Sequence, residues 1–145
     1  METQATYDDV NLVLRLYELR REEKLRKARE WFGASFKVNT MEELNALCPM
    51  GSEQNAYMRM VLSYWEMTAS FITAGVLNQE LFFQSGRELL FVWERVRELV
   101  PQMRAMFKDP NYARNLETVA KDYASWLDRH SPGSYAVFAE RVKSM

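Results

Sequence analysis

The chain has 145 residues, 48% of them hydrophobic and 27% charged, with only five Gly and four Pro. That composition belongs to one globular domain able to bury its own core, and it excludes an intrinsically disordered chain. A formal net charge of −1 gives no general support to a nucleic-acid or membrane-surface partner, and Cys48, as the single cysteine, rules out an intrachain disulfide.

From the N-terminus, Val10, Val13, Leu14, Tyr17, Arg21, Leu25, Ala28 and Phe32 recur at three-to-four spacing with no Gly or Pro between them. The pattern predicts one long helix over 7–32, which at 1.5 Å per residue would be about 40 Å long. Thr40 with Glu43 forms a capping-box pattern ahead of a short helix over 41–48, which Pro49 and Gly51 end. Ser52 caps a helix over 53–74, stopped by Gly75. Asn78 opens a short helix through Leu81, Phe82 and Phe83, and a further helix over 86–107 contains Pro101 as a kink or break. Asp109-Pro110 reads as a cap and first helical residue for 110–129, Ser131-Pro132-Gly133 as a turn, and 134–144 as a last helix. No segment alternates apolar and polar residues over a strand's length. The expectation is an all-α, single-domain helical bundle of about four long helices and two or three short ones, spanning 1–145.

Helix 53–74 confines its polar residues Arg59, Ser63, Glu66, Ser70 and Thr73 to one narrow stripe. A helix apolar over most of its circumference packs on several sides, so this one is the expected centre, backed by 86–107 and 110–129. The segments Leu62-Ser63-Tyr64-Trp65-Glu66 and Leu90-Phe91-Val92-Trp93-Glu94 echo one another, a pattern common enough in helical proteins to stand without a duplication.

Four Trp, at 31, 65, 93 and 126, each have an acid within two positions: Glu30, Glu66, Glu94 and Asp128. Carboxylates converging in a bundle can hold a metal, but that chemistry uses Glu-x-x-His pairs, and the only histidine is His130 beside a turn. Neighbours on a helix point about 100° apart, so the acids are read as flanking a Trp core, with no metal and no cofactor. Arg59, Glu66 and Glu94 remain a candidate ligand groove if the polar stripe faces a partly enclosed space. The run 20–29 holds six basic and two acidic residues, a local charge of +4 that leaves −5 elsewhere. Arg20, Arg21, Lys24 and Lys27 are a candidate interaction surface there, although Glu22→Arg26 and Glu23→Lys27 have the spacing of ordinary solvated pairs, and without an interleaved aromatic or a known motif nucleic acid is disfavoured. Phe82 and Phe83 either plug one end of the bundle or offer a contact patch. No phosphate loop, nucleophile elbow, dinucleotide fingerprint or zinc-protease motif occurs, so the reading leans away from an enzyme.

The first nine residues lack the apolar stretch of a signal peptide, and no apolar stretch approaches the roughly 18 residues of a membrane span, which makes a cytoplasmic, non-membrane setting the expectation. With Tyr64-Trp65-Glu66, Ala69, Gly75-Val76-Leu77, Trp93, Arg104, Pro110-Asn111-Tyr112, Asn115-Leu116-Glu117 and Trp126 in view, residues 55–127 resemble a family of small bacterial helical proteins known only as a domain of unknown function. That resemblance implies an all-helical domain and carries no activity. The functional expectation is a non-catalytic interaction or regulatory module, self-associating or bound to another protein. A small-ligand sensor using the groove near Glu66 is the alternative.

Overall fold

The helix with the least polar circumference takes the centre. A computed structural model describes residues 4–145, and among these every regular element is a helix. In order they are α1 (Tyr7–Arg20), α2 (Glu23–Ser35), α3 (Met41–Leu47), α4 (Glu53–Thr73), α5 (Gln79–Phe83), α6 (Arg87–Val96), α7 (Val100–Phe107), α8 (Arg114–His130) and α9 (Ser134–Ser144). Helix α4 packs against α2 on one side and α8 on the other, with α6 behind it. Its Trp65 and Ala69 are completely enclosed. One contiguous apolar core runs from Leu16 to Leu127, so the chain folds around a single centre.

The local signals place most boundaries. Ser52 Oγ accepts from Asn55 N at 3.1 Å, Asn78 Oδ1 from Leu81 N at 2.8 Å and Thr40 Oγ1 from Glu43 N at 3.1 Å. Each satisfies an orphan N–H of a first turn. Gly75, at φ +79°, lets Val76 N and Leu77 N both turn back to Phe71 O.

Three expected helices are corrected. The 7–32 helix is two helices, broken at Arg21-Glu22, where Glu22 leaves helical geometry and its carboxylate caps Leu25 N at 3.0 Å. Arg29 then donates to Arg20 O at 2.8 Å, replacing a lost helical partner at the end of α1, and grips Glu88 of α6 with two 2.7 Å bonds. The fold-back turns Leu25, Ala28 and Phe32 of α2 into the core, which a straight rod cannot do. The 86–107 helix likewise divides, at 97–99, because Pro101 has no N–H to give Arg97 O, and it falls instead in the first turn of α7. Pro110 starts no helix: α7 ends at Lys108 in the left-handed region (φ 54°), with Asp109 N returning to Arg104 O, and α8 begins only at Arg114.

Phe82 and Phe83 are buried in the core, where Phe83 stacks on Tyr123 at 4.3 Å between centroids. Both side chains are turned inward, away from solvent. Phe82 lies so close to Gly86 that a Cβ there would meet its ring at 2.4 Å, so any side chain at 86 would have to displace that buried ring. Arg95 is buried too, donating to Phe36 O at 2.7 Å and more weakly to Phe32 O and Gly33 O, with its guanidinium 4.7 Å from the Phe91 ring. The cation closes the carbonyl end of α2, the end at which a helix favours positive charge. No helix among the described residues is long and apolar enough to cross a membrane.

Candidate functional site

A cleft of about 930 Å³ lies between α3, the 49–51 turn, α4, α7 and the start of α8. Six of the nine methionines line it: Met41, Met50, Met58, Met60, Met103 and Met106. They arrive as three sequence pairs, one around α3, one on α4 and one on α7. Leu44, Leu62 and Leu116 complete an apolar floor, and Met58 and Met103 are buried in it. At the rim Met50 is 98% exposed, Met106 55% and Phe107 51%. Unbranched thioether chains adapt their shape to what touches them at low torsional cost.

Polar contacts between helices hold the walls. Gln102 of α7 accepts from Met41 N at 3.3 Å and donates to Asn39 O at 3.2 Å, which ties the start of α3 to α7. Asn55 Nδ2 donates to Cys48 O at 3.1 Å and joins the end of α3 to α4. Glu66 accepts from Leu116 N and from Asn115 Nδ2, each at 2.8 Å, so it serves as the N-terminal cap that Ala113 cannot provide. Arg104 donates to Tyr112 O at 2.8 Å and to Glu117 at 3.1 Å, which fixes the 108–113 loop over the far wall. Burial pushes the Tyr112 phenol above its ordinary range, and the nearby Glu66 carboxylate adds to the effect.

Burial holds the Cys48 thiol protonated by raising its pKa, so it offers no ready thiolate. Among the described residues no three His, Cys, Asp or Glu gather as a metal site. His130 lies on α8, away from the cleft, its Nδ1 2.8 Å from Trp126 O and its Nε2 3.9 Å from Glu80. Arg59 sits at the cleft edge, exposed, donating to Asn55 Oδ1 at 2.9 Å.

The sequence-derived groove is therefore divided. Arg59 and Glu66 line the cleft, and Glu94 does not. Its side chain, 4% exposed, turns to α9, accepting from Tyr135 Oη at 2.7 Å and pairing with Arg97 at 3.4 Å. Helix α6 packs against α9 and presents that position to Tyr135. The basic run is dispersed across the α1–α2 junction. Arg20 and Arg21 lie over the Tyr17 ring at 4.9 and 5.4 Å, Lys27 pairs with Glu23 at 3.3 Å, and Lys24 is exposed. Of the two expected helical pairs only Glu23→Lys27 forms, because Glu22 is spent capping α2. The methionine cluster escaped the sequence reading, and its one trace there is the paired spacing at 58 and 60 and at 103 and 106.

A second recess, of about 440 Å³, lies between α1, α4 and α5, bordered by Leu14, Tyr17 and Arg20 on α1 and floored by Trp65, Thr68 and Phe82. Its wall includes the Trp65 indole, whose buried N–H has no hydrogen-bond partner among the described residues.

No curated protein and no solved structure matches the chain. A family model, Domain of unknown function (DUF4760), matches residues 5–126, which takes in α1 through most of α8 and leaves α9 outside. The cleft and its capping Glu66 fall within the matched residues, and the chain belongs to the DUF4760 family.

Proposed function

We propose that this is a non-catalytic protein-interaction domain whose methionine-lined cleft takes the apolar face of an amphipathic helix from another protein. The observation that carries the reading is the rim. A small molecule seated on the floor would leave Met50, Met106 and Phe107 as exposed as before, whereas a helix lying along the cleft covers floor and rim together. Six thioethers suit a surface that must repack around a partner's side chains. Arg59 has no carboxylate within ion-pair distance among the described residues, so an acidic residue flanking the partner's apolar face meets an open cation at the edge. The second reading, a small apolar ligand held on the floor around Met58 and Met103, is favoured by the cleft's volume, which lies within the range of small-molecule sites.

The test is fluorescence anisotropy with a labelled amphipathic peptide carrying a leucine face flanked by glutamates, run beside a scrambled peptide and decanoate. The reading predicts saturable binding of the first alone. It also predicts at least about tenfold weaker binding in Met106→Glu, an exposed rim position that leaves the core intact, and in Ala56→Trp, which fills the cleft. Equal binding of both peptides, or full affinity in both variants, would overturn it, and binding of decanoate alone would establish the second reading in its place.

A further inference from the structure

Trp65 is completely enclosed on α4, and its indole N–H finds no acceptor among the described residues. A buried indole N–H ordinarily has a partner, so an orphan one marks a place where something outside the chain can supply it. The indole forms part of the wall of the 440 Å³ recess between α1, α4 and α5. The other polar groups of α4 there do not answer it. Tyr64 Oη donates to Leu16 O, and the Thr68 hydroxyl sits beside that phenol.

The recess also holds a cation without an anion. Arg20, half-buried at the end of α1, has its guanidinium 4.9 Å from the Tyr17 ring and 5.7 Å from the Trp65 ring, and no carboxylate among the described residues pairs with it. Glu88, whose charge reaches Tyr64, is already held by Arg29 through two 2.7 Å bonds. No Asp or Glu lines the recess, and Leu14, Leu16 and Phe82 make its walls apolar. Two donors that lack acceptors, one of them charged, therefore meet in an apolar chamber whose volume lies within the range of small-molecule sites. Such a chamber selects its occupant. Arg20 calls for a carboxylate, the indole N–H for a second acceptor, and the walls for an apolar body. An amino acid is a poor fit, because nothing lining the recess neutralises its ammonium.

We propose that this recess binds a small carboxylate with an apolar body and a second acceptor beside the acid, the chemistry of a branched 2-oxo acid. Arg20 takes the acid, and the Trp65 N–H takes the second acceptor. The indole N–H is closed to water, so the long Arg20 side chain, which lies across the ring, moves off it as the ligand enters. The recess shares no lining residue with the methionine cleft, so either assignment stands or falls without the other.

NMR of the full chain with its four tryptophans ¹⁵N-labelled tests it, the Trp65 indole signal being assigned through its own couplings so that no core substitution is needed. The probe is 4-methyl-2-oxopentanoate, run beside leucine, which replaces the oxo group by an ammonium, and 4-methyl-2-pentanol, which lacks the acid. The oxo acid is expected to move the Trp65 N–H signal downfield and saturably, leaving those of Trp31, Trp93 and Trp126 in place. Arg20→Met, which keeps the apolar stem, should bind it at least about tenfold more weakly, and Arg20→Lys should recover part of the loss. Met106→Glu, at the rim of the methionine cleft, should bind it as the unaltered chain does. A Trp65 signal that stays in place, leucine or the alcohol binding as well as the oxo acid, or full affinity in Arg20→Met would each overturn the proposal.

Discussion

Trp65-Glu66 on α4 and Trp93-Glu94 on α6 are the same local pattern put to two uses. In both, the indole enters the core and the following acid, about a quarter-turn away, is left at a helix boundary. Glu66 meets the bare N–H groups of α8 and becomes its cap, and so forms one wall of the cleft. Glu94 meets the Tyr135 hydroxyl and the Arg97 guanidinium, and so fastens α9 to the bundle. What differs is only what the fold brings alongside. A carboxylate's role in a helical bundle is set by the nearest helix end or side chain, and its own sequence neighbours do not reveal it.

The largest effect separates the two tryptophans. Trp65→Ala should cost about 4–5 kcal/mol in urea unfolding, because its fully enclosed site cannot collapse, and Trp93→Ala about 1 kcal/mol less, because Trp93 keeps a little exposure. Equal costs would mean that α4 is no more central than α6. Glu66→Ala comes next, at about 2 kcal/mol, since it leaves Leu116 N without its acceptor at the start of α8. In a protein of this size that is a fall of roughly 4–8 °C in Tm. Glu94→Gln should lose about 1 kcal/mol or less, as an amide still accepts from the Tyr135 hydroxyl. The Glu94→Ala/Tyr135→Phe double variant, in which each single change removes the bond, should lose less than the sum of the two single changes, and strict additivity would contradict the bond.

The smallest effect is on pH dependence. Burial raises the pKa of Tyr135, helped by Glu94, and burial also raises those of Tyr64, Tyr112 and Tyr123. A raised folded pKa means that the stability these phenols contribute is complete below the ordinary tyrosine range and is lost as pH climbs through the folded values. Alkaline unfolding should therefore begin near that range, and Tyr135→Phe should soften it slightly. An identical alkaline profile in that variant would remove Tyr135 from the set.

Where a boundary depends on its own residues, the sequence showed it. The caps at Thr40, Ser52 and Asn78 and the stop at Gly75 are local chemistry, and the helix that is apolar over most of its circumference, 53–74, packs against α2, α6 and α8. The break at Arg21-Glu22 was hidden because long-range bonds stabilise it, Arg29 to Glu88 and Arg95 to the end of α2, and no Gly or Pro marks it. At the site, Arg59 and Glu66 were legible as one stripe of one helix. Glu94 was misplaced because α9 decides where it points, and the cleft was invisible because its methionines come from three helical segments that meet only in the fold.

The central claim is that the methionine cleft is the binding surface, and methyl NMR of the chain with its methionines ¹³C-labelled tests it most directly. On titration with the leucine-faced peptide, the signals of Met41, Met50, Met58, Met60, Met103 and Met106 should shift together. Those of Met67 and Met145, which lie outside the cleft, should stay in place. Shifts centred on Met67 or Met145, with the cleft methyls unmoved, would contradict the account.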